Sequence, residues 1–367
     1  MKLYLINLFE ENSRGRIKSV VDEAMEKEGL SLTDAVIINS TERLRWAAEA
    51  GLLRDVGIIF AVELDESGIN LEAFRLIKYL NTCGNIMEGS AGGIIIDGTG
   101  DLATKDLARR LALAANMAGC TFPGKALVEA TGSLQNFNIL ARTWNLTTME
   151  AYKKSTQQLI AKVMNFQNPE CSGQSYSGPS ILMVHASSRK TSNSLRLWEE
   201  VSAYLEGRAE VEEISIRNGQ VWDCRGCKYE ECLHFGENSS CFYGGVMVEK
   251  VYPAIIKSDI VVLVCPNYND SVSANIMAFI NRLTAVFRTN DFSRKKVYAL
   301  VISGYSGGDI VAQQIIGAMN MNKNFILPGN FAMIETANDP GAIMEIDNIS
   351  EKARAFAENI LKKEKME

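Results

Sequence analysis

An internal repeat restricts the fold of this chain more than any other feature. The segment DVGIIFAVELDESGINLEAFRLIKYLN, starting at Asp55, resembles SDIVVLVCPNYNDSVSANIMAFINRLT, starting at Ser258, since both pass from Asp through an apolar strand and a polar loop into a helix. Further along, NMAGCTFPGKALVEATG from Asn116 parallels NMNKNFILPGNFAMIETA from Asn320, with the same Pro-Gly pair. Similarity that recurs in the same order indicates a duplication. We therefore expect two domains of the same fold.

The 367 residues are enough for two hydrophobic cores. The turn-rich segment NPECSGQSYSGPS lies between the halves. We predict domains at 1–167 and 180–367, joined by a linker at 168–179. The second half is longer than the first between its first and third strands, and we assign the extra length to a cysteine-rich insertion at 218–248.

Apolar runs alternate with amphipathic segments in both halves. In the second half the pattern predicts strands at Ile181–His185, Glu210–Ile216, Ile260–Cys265, Lys296–Ile302 and Phe331–Glu335. It predicts helices at Asn193–Leu205, Val246–Lys257, Ala274–Phe287, Asp309–Met319 and Ile349–Lys362. Strands that alternate with helices form parallel sheets through right-handed crossovers. The predicted fold class is α/β, with two tandem doubly wound domains that each contain a parallel five-stranded sheet.

Three polar loops follow apolar strands of the second half: ASSRKTSN (186–193), PNYNDSVS (266–273) and SGYSGGD (303–309). Doubly wound sheets bind ligands outside the carboxyl ends of their strands. The first loop suits a phosphate, because a helix start presents unpaired N–H groups and a positive dipole end. Its candidate ligands are Ser187, Arg189, Ser192, Asn193 and Ser194. A simple helix cap would also explain a serine at position 192 or 194.

The other two loops suit a flat ring. Tyr268, behind Pro266, offers an aromatic face, and the glycines of SGYSGG let backbone N–H groups approach a ring closely. The sequence lacks a Walker lysine pattern, so a nucleoside triphosphate is a poor candidate.

These motifs resemble the NADPH-dependent FMN reductase and iron–sulfur flavoprotein group of flavodoxin-like proteins. ASSRKTSNS is similar to their phosphate loop, PNYNDSVSA to their second loop, and Asn281-Arg282 to the Asp-Arg that ends their next helix. The resemblance runs from Ser180 onward, with Ala186 and Ser192 at two glycine positions of the phosphate loop. It implies a flavodoxin-like domain that binds FMN, with the phosphate on the first loop. The residues implied for the ring are Pro266, Asn267, Tyr268, Asn269, Ser271, Ser303, Gly304, Tyr305 and Gly307.

The first half lacks these three loop motifs, and we interpret it as a degenerate flavodoxin-like copy. Its corresponding loop, NLFEENSRG, places Glu10 and Glu11 where a phosphate dianion would lie, and like charges repel at that range. Relatives of the second half commonly form homodimers around the flavin. The first half is therefore expected to replace a partner subunit.

Four of the eight cysteines lie in the insertion, in CRGCKYEECLHFGENSSC. Cys224, Cys227, Cys232 and Cys241 could supply four thiolates to zinc or to an iron–sulfur cluster. The resemblance implies a cluster at this position, although the family spacing is tighter. Three alternatives remain: a 4Fe-4S cluster, zinc, or thiols without a metal.

Composition excludes several classes of partner. The net charge of −6 gives no reason to expect nucleic acid or an anionic membrane surface, and no apolar run reaches the roughly 18 residues of a membrane span. The amino-terminal segment turns acidic before a signal peptide could be completed, so we expect a cytoplasmic protein.

The leading hypothesis is an FMN-dependent NAD(P)H oxidoreductase with a small-molecule or protein electron acceptor, whose flavin supplies the chemistry. No set of acid and base residues stands out as catalytic. A homo-oligomeric state is one possibility that the sequence leaves open. Two alternatives remain: an iron–sulfur flavoprotein electron carrier, and a non-enzymatic protein that kept the fold and lost the cofactor.

Overall fold

The computed structural model describes residues 1–9, 15–30, 35–169, 178–187, 192–217, 219 and 221–362. The chain divides into two compact units. The first unit comprises Met1–Gln167 and Leu327–Asn330, and the second comprises Asn168–Ile326 and Phe331–Glu367.

The first unit is built on a parallel sheet with the strand order β2-β1-β3-β4-β5. Its strands are β1 (Leu3–Leu8), β2 (Val36–Ile38), β3 (Gly57–Leu64), β4 (Ala91–Gly98) and β5 (Leu127–Ala130). Its helices are α1 (Arg16–Lys27), α2 (Thr41–Glu49), α3 (Leu71–Leu80), α4 (Thr104–Met117), α5 (Asn138–Trp144) and α6 (Thr148–Met164). Every residue of β3 and β4 is buried, as expected for central strands covered on both faces. The helices α1 and α6 form one core with the sheet.

The second unit repeats this arrangement with the order β7-β6-β8-β9-β10. Its strands are β6 (Ser180–His185), β7 (Glu210–Ser215), β8 (Ile260–Pro266), β9 (Lys296–Ser303) and β10 (Ala332–Thr336). Its helices are α7 (Asn193–Ala203), α8 (Tyr229–Gly236), α9 (Tyr252–Lys257), α10 (Ala274–Arg282), α11 (Thr284–Phe287), α12 (Gly308–Ile315) and α13 (Ile349–Leu361). π-helical turns at Met247–Val251 and Ile316–Asn322 precede α9 and follow α12.

Both sheets therefore confirm the predicted fold class. In each unit the first strand lies between the second and the third, which is the flavodoxin-like strand order. Helix bounds differ from the prediction in several places. The helix predicted at Asn193–Leu205 ends at Ala203, the one predicted at Val246–Lys257 begins with a π-helical turn, and α8 inside the insertion was not predicted. The predicted helix Ala274–Phe287 is interrupted at Leu283, and the one predicted at Asp309–Met319 continues to Asn322 through the π-helical turn.

The helices are amphipathic and cover the sheets with their apolar faces. The longest, α6, has 17 residues and includes three lysines and two glutamines. Across the described part of the chain, no helix combines the length and apolar character needed to cross a bilayer.

Candidate functional site

The second unit places the three sequence-predicted loops at one edge of its sheet. β6, β8 and β9 are neighbours that run in the same direction, so the loops after them leave from the same edge. The strand order reverses between β6 and β8, and doubly wound sheets bind ligands at such a position.

The first loop connects β6 to α7, and residues 188–191, which include the predicted ligand Arg189, lie outside the described residues. Ser192 is the N-cap of α7, with extended backbone and no side-chain capping bond. Its Oγ lies 3.5 Å from the Oγ of Ser194, which is buried, while Ser187 is half-buried at the other end of the loop. The start of α7 thus combines two hydroxyls with first-turn N–H groups, an arrangement that suits an anion.

The side chain of Asn193 does not fit its predicted role as a phosphate ligand. Its Nδ2 donates to the carbonyl oxygens of Ala337 (3.0 Å) and Asp339 (2.9 Å), and its Oδ1 accepts from the N–H of Gly341 (2.9 Å). The residue is buried, and its amide fastens the loop after β10 to α7. Only the backbone N–H of Asn193, in the first helical turn, remains suited to an anion.

His185 ends β6 directly before the first loop. The pKa of its imidazole is lowered, mainly by burial. The charge of Arg217 lowers it too, and the charge of Glu213 acts in the opposite direction. The ring is therefore neutral at neutral pH and adds no positive charge for a phosphate. The cations that the sequence places in this loop are Arg189 and Lys190.

A tight turn at Tyr268–Ser271 opens the second loop. The N–H of Tyr268 donates to the carbonyl of Ser271 (3.0 Å), and the N–H of Ser271 donates back to the carbonyl of Tyr268 (3.1 Å). Asn269 and Asp270 have φ values of 53° and 56°. Two central residues with positive φ define a type I′ turn, a conformation that Asn and Asp tolerate well. The turn leaves the side chain of Tyr268 58% exposed.

Asn267 joins the second loop to the third. It follows Pro266, which ends β8, and its N–H donates to the carbonyl of Ile302 on β9 (2.7 Å). Its Nδ2 donates to the carbonyl of Ser306 (2.7 Å) and to the Oγ of buried Ser303 (3.2 Å). Two of the predicted ring ligands, Asn267 and Ser303, therefore also fix the positions of the loops relative to each other.

Glycines allow the third loop to lie close to its neighbours. Gly307 has φ +82°, and a Cβ there would lie 2.0 Å from Oδ1 of Asp270 and 2.9 Å from Nδ2 of Asn267. A Cβ on Gly304 would lie 3.0 Å from Oδ1 of Asn338. Tyr305 is 81% exposed, so neighbouring loops present two exposed aromatic rings, which suits a flat aromatic ligand.

Sequence reasoning missed Gln314, which holds the second loop from α12. Its Oε1 accepts from the Oγ of Ser271 (3.2 Å) and the N–H of Val272 (3.1 Å), and its Nε2 donates to the carbonyl of Asp270 (3.1 Å). The sequence signal is weak, since Gln314 is one polar residue within an amphipathic helix. The loop after β10 was also missed, although NDPG at 338–341 is a turn signal at the same sheet edge.

The four cysteines of the insertion are free thiols; Cys224 is exposed and the other three are half-buried. Burial raises the pKa of the Cys232 thiol, Arg288 lowers it, and Cys224, Cys241 and Cys227 raise it. The thiols are thus close enough to interact electrostatically. Within the described residues, however, no three His, Cys, Asp or Glu side chains are placed to hold a metal. The predicted cluster ligands are electrostatic neighbours, and their role as metal ligands stays a prediction.

Arg282, part of the family-like motif at the end of α10, anchors the insertion. It is 3% exposed, and its Nη2 donates to the carbonyl of Gly244 (2.9 Å). Tyr252 donates from its hydroxyl to the carbonyl of Arg282 (2.8 Å). Burial raises the pKa of Tyr252, so this phenol is neutral and serves as a donor.

The same edge of the first unit is occupied by an ion pair. The guanidinium of Arg16, at the start of α1, donates to both carboxylate oxygens of Asp97 (2.9 Å each) and to the carbonyls of Thr131 (2.6 Å) and Gly132 (3.2 Å). The pKa of Asp97 is raised, mainly by burial. Arg16 acts against this shift, and the nearby carboxylate Glu63 adds to it. The loop that contains Glu10 and Glu11 lies outside the described residues, so the predicted repulsion of phosphate stays a prediction.

The topology and the edge geometry define the class: two flavodoxin-like units, of which the second offers a site suited to a flat, phosphorylated ligand. The family of NADPH-dependent FMN reductases matches residues 179–339, a segment that contains all three loops. This match confirms the resemblance predicted for the second half. It covers less than half of the chain, and the degenerate nature of the first half stays a prediction.

Comparison with curated proteins gives no match. Similar solved structures include the NAD(P)H:quinone oxidoreductase from Methanothermobacter marburgensis, with 14% identity, a TM-score of 0.41, and coverage of 51% of this chain and 100% of that chain. Another is the FMN-dependent NADH-azoreductase from Bacillus anthracis in complex with FMN, with 12% identity, a TM-score of 0.36, and coverage of 50% of this chain and 100% of that chain.

Proposed function

We propose that this chain is an FMN-dependent NAD(P)H oxidoreductase that binds FMN at the carboxyl edge of the second unit. One observation carries the proposal: the start of α7, with Ser192 and Ser194, lies at the same sheet edge as two loops with exposed tyrosines. All three lie within the segment that matches the family. Bound FMN would accept a hydride from NAD(P)H and pass electrons to an acceptor, which we expect to be a small molecule or a protein.

The chain's own groups bind and orient the cofactor. Hydroxyls of Ser187, Ser192 and Ser194, with the N–H groups of α7, accommodate the phosphate, and Arg189 adds charge-assisted hydrogen bonds. The exposed rings of Tyr268 and Tyr305 would offer aromatic faces to the isoalloxazine, and the backbone N–H groups of 303–307 would hydrogen-bond to it. The remaining predicted ring residues, Pro266, Asn267, Asn269 and Ser271, belong to the same loop as Tyr268 and would line the site beside it.

The test begins with the visible absorption spectrum of anaerobically purified protein, followed by titration with FMN and assay of NAD(P)H oxidation with a quinone acceptor. Arg189→Ala should weaken FMN binding by about 10- to 100-fold, because a hydrogen bond to a charged group contributes roughly 1.5–3 kcal/mol. Arg294→Ala is the matched control, since exposed Arg294 precedes β9 at the opposite edge of the same sheet. Protein that retains no FMN in excess cofactor would overturn the proposal and favour a non-enzymatic role.

The iron–sulfur alternative has less support than the reductase, because the family match concerns FMN reductases and no metal-holding group is found among the described residues. No step of the proposed function passes through a cluster. Iron and acid-labile sulfide at about four atoms each per chain would instead favour the electron carrier. We also propose a cytoplasmic location, which cell fractionation tests. A homo-oligomeric state is a further proposal, which size-exclusion chromatography with light scattering tests.

A further inference from the structure

The second loop is fastened from outside the predicted ring site. Three hydrogen bonds connect Gln314 of α12 to consecutive residues of the loop, through the carbonyl of Asp270, the hydroxyl of Ser271 and the N–H of Val272. Gln314 is half-buried, and Val272 is 4% exposed. The amide of Gln314 therefore accepts from the N–H of buried Val272 and donates to the carbonyl of Asp270, a residue with positive φ.

This contact acts on the turn that carries Tyr268. The type I′ turn that carries Tyr268 contains Asp270 and Ser271, both of which Gln314 holds. Without Gln314, the N–H of Val272 loses its acceptor in a place from which water is largely excluded, and such a loss favours rearrangement. A rearranged turn would displace the aromatic ring and the residues beside it.

We propose that Gln314 is a positioning residue for the isoalloxazine ring: it holds the 267–272 loop in its ligand-binding conformation and does not contact the phosphate. The inference rests on the proposed FMN function and deepens it. If Gln314 acts through the loop, removing it lowers the fraction of protein in the competent conformation, and the apparent Kd rises by the inverse of that fraction. The phosphate contribution, which comes from the first loop, stays the same.

Comparison of FMN with riboflavin, which lacks the phosphate, separates the two contributions. Gln314→Ala should raise the Kd of both ligands by a similar factor of about tenfold. The ratio of the riboflavin Kd to the FMN Kd should stay at the wild-type value. The fluorescence of bound FMN should also increase, because Tyr268 no longer stacks regularly on the ring.

The adjacent Gln313 gives a matched control, since it is on the same helix with similar exposure. Gln313→Ala should bind both ligands like the wild type. Gln314→Glu keeps the acceptor for Ser271 and Val272 but loses the donor to Asp270, so its Kd values should fall between wild type and Gln314→Ala. If Gln314→Ala does not fold, Gln314→Met preserves the length of the side chain, removes its amide, and carries the same expectation.

The outcomes separate this inference from the proposed function. Wild-type protein that binds neither flavin overturns the proposed function and, with it, the role of Gln314. Wild-type protein that binds FMN while Gln314→Ala and Gln314→Met bind it equally well overturns only the positioning role. A loss confined to FMN, with riboflavin unaffected, also overturns it, because the effect would then act on the phosphate.

Discussion

Substitution of Gly307 by alanine should distort the flavin loops more than an equally strained substitution elsewhere in the unit. The φ of +82° is unfavourable for a residue with a Cβ by roughly 1–2 kcal/mol. The new Cβ would also lie 2.0 Å from Oδ1 of Asp270 and 2.9 Å from Nδ2 of Asn267. Asp270 can rotate away, but Asn267 is held by Ser306, and losing such a hydrogen bond costs about 1 kcal/mol.

The two contributions together give about 2–3 kcal/mol of lost stability for Gly307→Ala. Gly207→Ala isolates the backbone strain, because Gly207 has φ +70° and open space around its Cβ position. Urea denaturation of both variants measures the difference, and FMN titration should show about a tenfold weaker Kd for Gly307→Ala alone. Equal losses of stability and unchanged FMN binding in both variants would refute the steric argument.

Three further outcomes are expected. Asn193→Ala should lower the free energy of unfolding by about 2–3 kcal/mol, because it releases the three hydrogen bonds that hold the loop after β10. Urea denaturation measures the loss, with exposed Asn338→Ala as the control. A larger effect on FMN affinity than on stability would restore the role of Asn193 as a phosphate ligand. Arg16→Ala should cost about 3–5 kcal/mol at neutral pH by leaving the Asp97 carboxylate buried without its cation. Since burial raises the pKa of Asp97, this loss should shrink as the pH falls below that pKa and grow as the pH rises through it. A series of urea midpoints from neutral to acidic pH measures the change, and a pH-independent loss would contradict it. Titration should give one FMN per chain, and two would show that the first unit also binds flavin.

The fold was accessible from the sequence because its signals are repeated. The segments from Asp55 and Ser258 alternate apolar and amphipathic runs in the same order, and parallel strands with helical crossovers have few arrangements. Local breaks were not accessible, since the interruption at Leu283 and the π-helical turn after Ile315 leave the apolar spacing nearly unchanged.

The candidate site was accessible at the level of loops but less so at the level of side chains. Small polar and glycine residues after apolar strands mark the correct sheet edge. The partner of each side chain depends on loops distant in sequence, and for that reason Asn193 was assigned to phosphate although it binds the loop at 337–341. Gln314 was missed for the same reason, because its three partners lie more than 40 residues earlier.

The two units show how one strand order supports two different edges. In the first unit, α1 begins with Arg16, a cation at the positive end of a helix dipole, and this placement is favourable only because Asp97 lies beside it. A phosphate there would compete with Asp97 for the guanidinium and would approach Glu63, which pairs in register with Asp97. In the second unit, α7 begins at Asn193, which lies between Ser192 and Ser194, and no carboxylate bonds to its first turn among the described residues. Within the described ranges, the start of α1 is paired with a carboxylate and the start of α7 is not, and this difference is the physical reason to expect the phosphate at α7.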